Sequence, residues 1–464
     1  MKQKRSENDY FENAPVWSAI AHMSIPMMLG LCVNLIYNIV DAFFIGQLHQ
    51  TPMLSAIALA LPLFSTQMAV GNLFGTGGGT FISRLLGEKK PDEAKKVATV
   101  TVFYSLLAGT VFLALLLPLL PFVLRLLGAA GDTLAPTHDF VLVMLLGTPV
   151  MIANGALEQV VRAEGASKTS MLGMGFSVAV NIALDPVFLF GCHLGVAGAA
   201  LATVLGNVAA VAFYIVWLKR RSPHLDISFS LFRPTVRMTG EIFKIGVTAL
   251  IDAAFLTVSA LLFNNLLAAH GDAAVAAVGI SQRVVQLPDF IGMGLFMGAV
   301  PLIAYAFSAG NLNRMLEVIR KTAAAVTILV LVVAGAMFLF RTQVLALFSS
   351  DPRVVETGLV ILAALLLASL FTSLTGLFTG IFQGIGREKE AAVMSSLQGV
   401  LFIPIMFAGN AVFGLNGVIW SLTVSQAAAS IIGLALWLHF RKKTIGEAPV
   451  PDDVPPLSPA LEED

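Results

Sequence analysis

The chain has 464 residues, 57% of them hydrophobic and 12% charged, about half the charge of a soluble domain. This excludes a soluble globular protein and predicts an integral membrane protein. Its 28 basic and 28 acidic residues cancel, which argues against a nucleic-acid partner. Two cysteines, Cys32 and Cys192, are too few for a disulfide framework.

The polar start, Met1–Glu7, lacks the short apolar core and cleavage site of a signal peptide, so the first apolar segment is expected to be retained. Apolar segments follow at 17–46, 53–83, 97–124, 136–161, 168–191, 195–218, 241–269, 274–308, 318–340, 354–384, 390–413 and 416–440. Each can cross a bilayer of ~30 Å, which takes ~20 helical residues. The prediction is an all-α membrane protein of twelve spans. Of the 28 basic residues, 24 fall in the two tails and the even-numbered connections. Only Arg125, Arg341 and Arg353 fall in odd connections, and Arg283 lies inside a span. This asymmetry predicts both termini in the cytoplasm.

The longest internal connection, with two prolines and five bases, separates two halves of six spans each. The expected division is a cytoplasmic tail (1–16), a first bundle (17–218), a linker (219–239), a second bundle (240–441) and a disordered tail (442–464). The halves repeat. Leu86-Gly87-Glu88 matches Ala309-Gly310-Asn311, each before a charged amphipathic stretch; Gly165 matches Gly386; and Gly195-Val-Ala-Gly198 matches Gly414-Leu-Asn-Gly417. With six spans per half, the bundles share one orientation and are related by a pseudo-two-fold axis along the membrane normal. Such repeats mark transporters, with the substrate cavity between the bundles.

Polar residues inside the spans point to function. An ionisable group at membrane depth costs about 2.5–3.5 kcal/mol on insertion scales. In span 1, Asn34, Asn38 and Asp41 fall on one helical face. In span 5, Asn181 precedes Asp185 by one turn, and Pro186 frees the carbonyl of Ile182. Asp41 and Asp185 sit at matched depth within one half. Two such carboxylates in a low-dielectric pocket cannot comfortably both ionise, which makes them a candidate proton site in competition with cationic substrate. The second half carries Asp252 in span 7 and Arg283, Gln286, Asp289 and Met293 in span 8. An ion pair of Arg283 with Asp252 or Asp289, and an acid left to meet substrate, both stand open. Glu158 and Gln159, near the end of span 4, are expected to meet interface water or Arg162. Gly71, Gly75 and Gly79 predict a close helix-packing face; Met293 and Met297 are open to two readings, an adaptable cavity lining or ordinary packing. No histidine spacing suggests a metal, and Gly77-Gly-Gly-Thr80 lacks the lysine of a phosphate loop. No cofactor is expected beyond the coupling ion.

At Tyr37-Asn-Ile-Val-Asp-Ala-Phe-Phe-Ile-Gly46, together with Asn181 and Asp185-Pro186, the chain resembles the multidrug and toxic compound extrusion (MATE) family. Within it the chain is similar to the branch of the DNA-damage-inducible protein F and the staphylococcal multidrug pump. The resemblance implies two six-helix lobes around a V-shaped cavity, exporting bulky, often cationic compounds against an H⁺ or Na⁺ gradient. It implies coupling roles for Asp41, Asp185 and Asn181. A branch coupled through second-half acids uses one in span 10, where Leu370–Gly376 carries only hydroxyls; this favours the first half and H⁺. The expected function is a monomeric multidrug antiporter working by alternating access on small molecules in the bilayer. A flippase for a lipid-linked glycan is the alternative, and an intramembrane aspartyl protease the remote one.

Overall fold

A computed structural model of the protein describes residues 7–46, 51–348 and 351–445. Within helices, the side chains of Asn38 and Asp41 are outside the described residues. Among the described residues, twelve helices are long and apolar enough to cross a membrane. In chain order they are α1 (Val16–Gly46), α2 (Thr51–Gly87), α3 (Pro91–Leu116), α4 (Leu134–Ala163), α5 (Ser167–Pro186) and α6 (Gly195–Arg220). The second six are α7 (Val236–Ala268), α8 (Asp272–Ser308), α9 (Leu312–Leu339), α10 (Pro352–Gly384), α11 (Glu388–Phe413) and α12 (Leu415–Ile445). Among the described residues there is no strand, as a lipid-spanning chain without a closed barrel requires.

The charged stretches expected after spans 2 and 8 are not separate surface elements. They form the first turns of α3 and α9. Pro91 begins α3 and Asp92 and Glu93 follow in its first turn, where a missing N–H costs nothing and negative charge suits the helix dipole. Asn311 caps α9 by accepting from the Arg314 N–H at 3.0 Å. A short helix, Glu7–Glu12, precedes α1 in the expected tail. The tail expected to be disordered lies, from 446 onward, outside the described residues.

The repeat is visible in the backbone. Gly165 and Gly386 have φ of 98° and 75°, and Gly195 and Gly414 have 56° and 57°. Where the second half uses Gly310 at 74°, the first carries Lys89 at 60°. The packing repeats as well. α2 against α4 is matched by α8 against α10, α1 against α5 by α7 against α11, and α5 against α6 by α11 against α12. Contacts between lobes are reciprocal: α1 packs on α8, and α7 on α2. This is the expected pair of six-helix bundles, with the first helix of each lobe laid against the other lobe.

The lobes meet at one end. Near the end rich in bases, a single apolar core runs through both, from Met23, Ile82 and Ile152 to Ile242, Ile303 and Leu377. Toward the opposite end the cores separate, one around Leu63 and Leu145, the other around Leu267, Ile361 and Phe402. The seam at the basic end is built on glycine. A Cβ on Gly77 would lie 2.0 Å from the Ile242 carbonyl, and one on Gly246 2.1 Å from that of Leu73. On the other side, Ser24 donates to the Leu295 carbonyl at 3.0 Å, beside Gly298. Charged groups close the rim. Arg84 lies 3.3 Å from Glu241. Glu12 accepts from Lys89 and, at 2.5 Å, from Tyr305, and Arg314 donates to the Phe11 and Tyr10 carbonyls. Hydrogen bonds from Lys89 and then Tyr305 hold the Glu12 carboxyl below its usual range. The result is a V, closed where the basic residues gather.

Candidate functional site

Two cavities, of about 390 and 370 Å³, occupy the V. Asn72, Gln159, Met293 and Met297 line both, so the two are joined. Six methionines, Met27, Met68, Met151, Met174, Met293 and Met297, line the first, giving it polarizable, flexible walls. Met293 and Met297 are one helical turn apart and face the interior, where they line both cavities.

The first cavity lies inside the first lobe, with α8 at its side. Asn34 and Tyr37 of α1 and Asn181 of α5 line it. Thr203 of α6 ties these helices together. Its Oγ1 donates to the Ala199 carbonyl at 3.0 Å and accepts from Asn181 Nδ2 at 3.3 Å. Since a hydroxyl has one proton, the Tyr37 hydroxyl, 3.2 Å from Thr203 Oγ1, is the donor in that contact. Asn207 extends the network, donating to the Thr203 carbonyl and accepting from Asn154 of α4 at 2.9 Å. Asn181 is nearly fully buried, and its Oδ1 has no hydrogen-bond donor among the described residues. It is an acceptor open to a hydrogen-bond donor or a cation from the cavity.

Asp185 is fully buried one turn beyond Asn181 and lines neither cavity. Immediately after it, α5 ends at Pro186 and passes into a π-helical turn, Val187–Gly191, where the Cys192 N–H bonds the Val187 carbonyl at 2.8 Å. Proline removes a donor from the helical ladder, and the wider turn accommodates the loss; such bulges recur at functional sites. α1 packs along α5. Asp41 and Asn38 fall outside the described side chains, so the expected pairing of Asp41 with Asp185 is not described.

At the floor of the first cavity, Glu158 accepts from Arg162 at 3.3 Å. The sequence placed Arg162 in a connection. It is instead in the last turn of α4, 4% exposed and lining the second cavity. Its neighbours explain why: Glu158 one turn back and the Met27 sulfur at 3.4 Å take its donors inward. Glu158 and Gln159 therefore face the cavity rather than interface water. Gln159 also donates to Asn72 at 3.1 Å and accepts from Thr76. Gly71, Gly75 and Gly79 let α2 approach α4 here: a Cβ on Gly75 would be 3.0 Å from the Gly155 carbonyl.

The second cavity spans the lobes. Asp252 of α7 lines it with Met293, Phe296 and Met297 of α8. Asp252 accepts from Gln398 of α11 at 2.6 Å, and Gln426 of α12 donates to Gln398 at 3.3 Å. Neither glutamine was singled out from sequence; each lies in an apolar helix, which was the available signal. Arg283 and Gln286 are exposed on α8 and line neither cavity. Arg283 forms no salt bridge among the described residues, so the possible ion pair with Asp252 or Asp289 is not made. Asp289 also lines neither cavity, and its Oδ1 is buried without a hydrogen-bond partner among the described residues. Two of the α10 hydroxyls make hydrogen bonds: Ser373 donates to the Ser369 carbonyl, and Thr375 lies 3.0 Å from Ser430 of α12. No cluster of metal-ligating side chains occurs among the described residues.

Comparison with known proteins places this architecture. The multidrug export protein MepA of Staphylococcus aureus is 40% identical over 427 residues, covering 92% of this chain and 94% of that protein. MepA of Staphylococcus haemolyticus is 39% identical over 434 residues, covering 94% and 96%. The structure of an outward-facing multidrug resistance MATE family transporter of the MOP superfamily shares the fold, with a TM-score of 0.89 at 24% identity over 96% of this chain and 100% of that one. The chain matches the MatE family over residues 26–187 and 249–408, one match in each six-helix lobe, and so it belongs to the MatE family.

Proposed function

We propose that the protein is a secondary active multidrug efflux antiporter, exporting cationic or amphiphilic compounds by alternating access in exchange for protons rather than sodium. The relatives named above are export proteins, which leaves the aspartyl-protease alternative unsupported. With the basic end cytoplasmic, both termini lie on the cytoplasmic side of the bacterial inner membrane. The closed seam then faces the cytoplasm and the joined cavities open outward.

Coupling rests on the first lobe, and Asn181 carries that reading. Its donorless Oδ1 lies one turn from buried Asp185, on the wall of a cavity that substrate can enter. A proton held among Asp185, Asn181 and Asp41 neutralises the site; a cation entering the cavity favours the ionised form and displaces it. The two occupants compete, and that is sufficient for exchange if each lobe arrangement binds both in turn. Asp252 provides a second anionic wall for the cationic end of a substrate. The absence of an acid from the Leu370–Gly376 stretch of α10 supports placing the coupling ion in the first lobe instead. A lipid-linked glycan would call for free bases in the cavity, whereas the base lining it, Arg162, is paired with Glu158.

The test is efflux of a fluorescent cation from proteoliposomes under an imposed pH or Na⁺ gradient. Asp41→Asn and Asp185→Asn are each expected to abolish pH-driven export. Full export in both variants overturns first-lobe coupling, and export driven by Na⁺ alone overturns the proton assignment.

A further inference from the structure

The segment joining the lobes carries five bases that the transport cavity does not use. Lys219, Arg220 and Arg221 end α6, Arg233 lies in the connection, and Arg237 is in the first turn of α7. All five are exposed, and none forms a salt bridge among the described residues. The acid between them, Asp226, accepts from the Ile227 N–H at 2.7 Å. Among these bases stand two apolar side chains turned outward, Phe229 at 77% exposure and Val236 at 94%. Phe229 and Phe232 lie against Phe103 of α3, with ring centroids 5.8 and 5.2 Å away, so the aromatic group packs on the side of a spanning helix.

The segment is also held in place. Glu164, 1% exposed at the end of α4, accepts from the Ser222 hydroxyl and from the His224 and Leu225 N–H groups at 2.7 and 3.1 Å. Thr99 of α3 donates to the Asp226 carbonyl at 3.2 Å. A loop meant only to span the lobes needs no buried carboxylate to fix it.

We infer that this segment is a docking surface for anionic phospholipid headgroups. Unpaired bases and exposed apolar side chains on a fixed platform at the membrane boundary match a surface with phosphate outside and acyl chains beneath. A soluble polyanion would have no use for Phe229 and Val236. Lys219–Arg221 belong to the first lobe and Arg237 to the second, so one patch of anionic lipid touches both.

The test uses the purified full chain and native mass spectrometry, which counts phosphatidylglycerol retained against phosphatidylcholine. Preferential retention of phosphatidylglycerol is expected, weakening by about fivefold for each base removed. It should be nearly lost in a variant with all five bases changed to Gln. A variant with Lys219→Arg and the four arginines changed to Lys should keep it, and Phe229→Ser/Val236→Ser should weaken it. High salt should abolish the preference in the wild-type chain, which needs no variant to fold. Equal retention of the two lipids by the wild type, or wild-type retention by the Gln variant, overturns the proposal. Equal competition by glycerol phosphate would mean a free-phosphate site, and preference for polyglutamate or an oligonucleotide a soluble partner; either result also overturns it.

Discussion

Arg84 of α2 and Glu241 of α7 stand 3.3 Å apart across the lobe seam, each with a side chain 20% exposed. They belong to opposite lobes and to the reciprocal α2–α7 contact, so any movement that opens the basic end must part them. A partly exposed ion pair contributes about 1 kcal/mol at most. Glu241→Gln should therefore raise the population open at this end by about fivefold or less, without affecting folding. Labelling of a cysteine placed at Thr80, on the second cavity's wall, measures it; an unchanged labelling rate would mean the pair does not bias the seam.

The glycines at the seam make a sharper prediction. Gly246→Val puts a Cβ about where the Leu73 carbonyl already is. Two backbones cannot yield as a flexible side chain would, and overpacking of this kind costs about 1–3 kcal/mol or more. Each lobe should still fold, but the closed form should be lost, and with it transport. Gly240→Val on the same helix, where nothing lies within reach of a Cβ, should leave transport intact.

Asp252 should set preference for charge. Asp252→Asn keeps a hydrogen-bonding group beside Gln398 but removes the negative charge from the interlobe cavity. Half-saturating concentrations for a cationic substrate should rise about tenfold, the scale of a lost charge-assisted contact, while those for an uncharged amphiphile hold steady. Equal effects on both would assign Asp252 to packing. Gln398→Leu should weaken cation export less, since the carboxylate survives.

His224 gives the anchored linker a dependence on pH. Burial, then the nearby charges of Lys95 and Lys89, lower its pKa below the ordinary histidine value. A base with a depressed pKa binds its proton less readily when docked than when free. Docking is therefore fully favoured above the free histidine pKa and weakens as pH falls below it. Hydrogen exchange of the 222–225 amides, corrected for the intrinsic rate, should quicken between neutral and mildly acidic pH. His224→Gln should remove that change.

Much of this fold can be read from the residues because the bilayer allows little else. Apolar runs of spanning length must be helices, the basic residues alternate with the connections, and glycines spaced about 220 apart take matching left-handed backbone in each half. What escapes is whatever depends on which helix lies beside which. Nothing local signals that α1 lies on α8 of the other lobe as well as on α5 of its own, or that Gln398 and Gln426 form a chain to Asp252. Arg162 was misplaced because a base near a span end ordinarily reaches outward, and only the neighbouring Glu158 and Met27 turn it in. The linker reads as a loop until buried Glu164, 58 residues before Ser222, is seen to hold it.

The glycine seam bears on the speed of the transport cycle. Where interdigitated side chains meet, parting two surfaces means rotating many of them out of their wells, and a barrier arises from steps that must coincide. Here α2 and α7 touch backbone to backbone at Gly77 and Gly246, so at those two points there are no rotamers to unlock, although Phe74 and Phe243 still meet beside them. Such a joint adds close backbone contact to the shared apolar core and the charges at its rim, and it can part at the glycines as a hinge plate does. The lobes can thus be firmly shut yet quick to release.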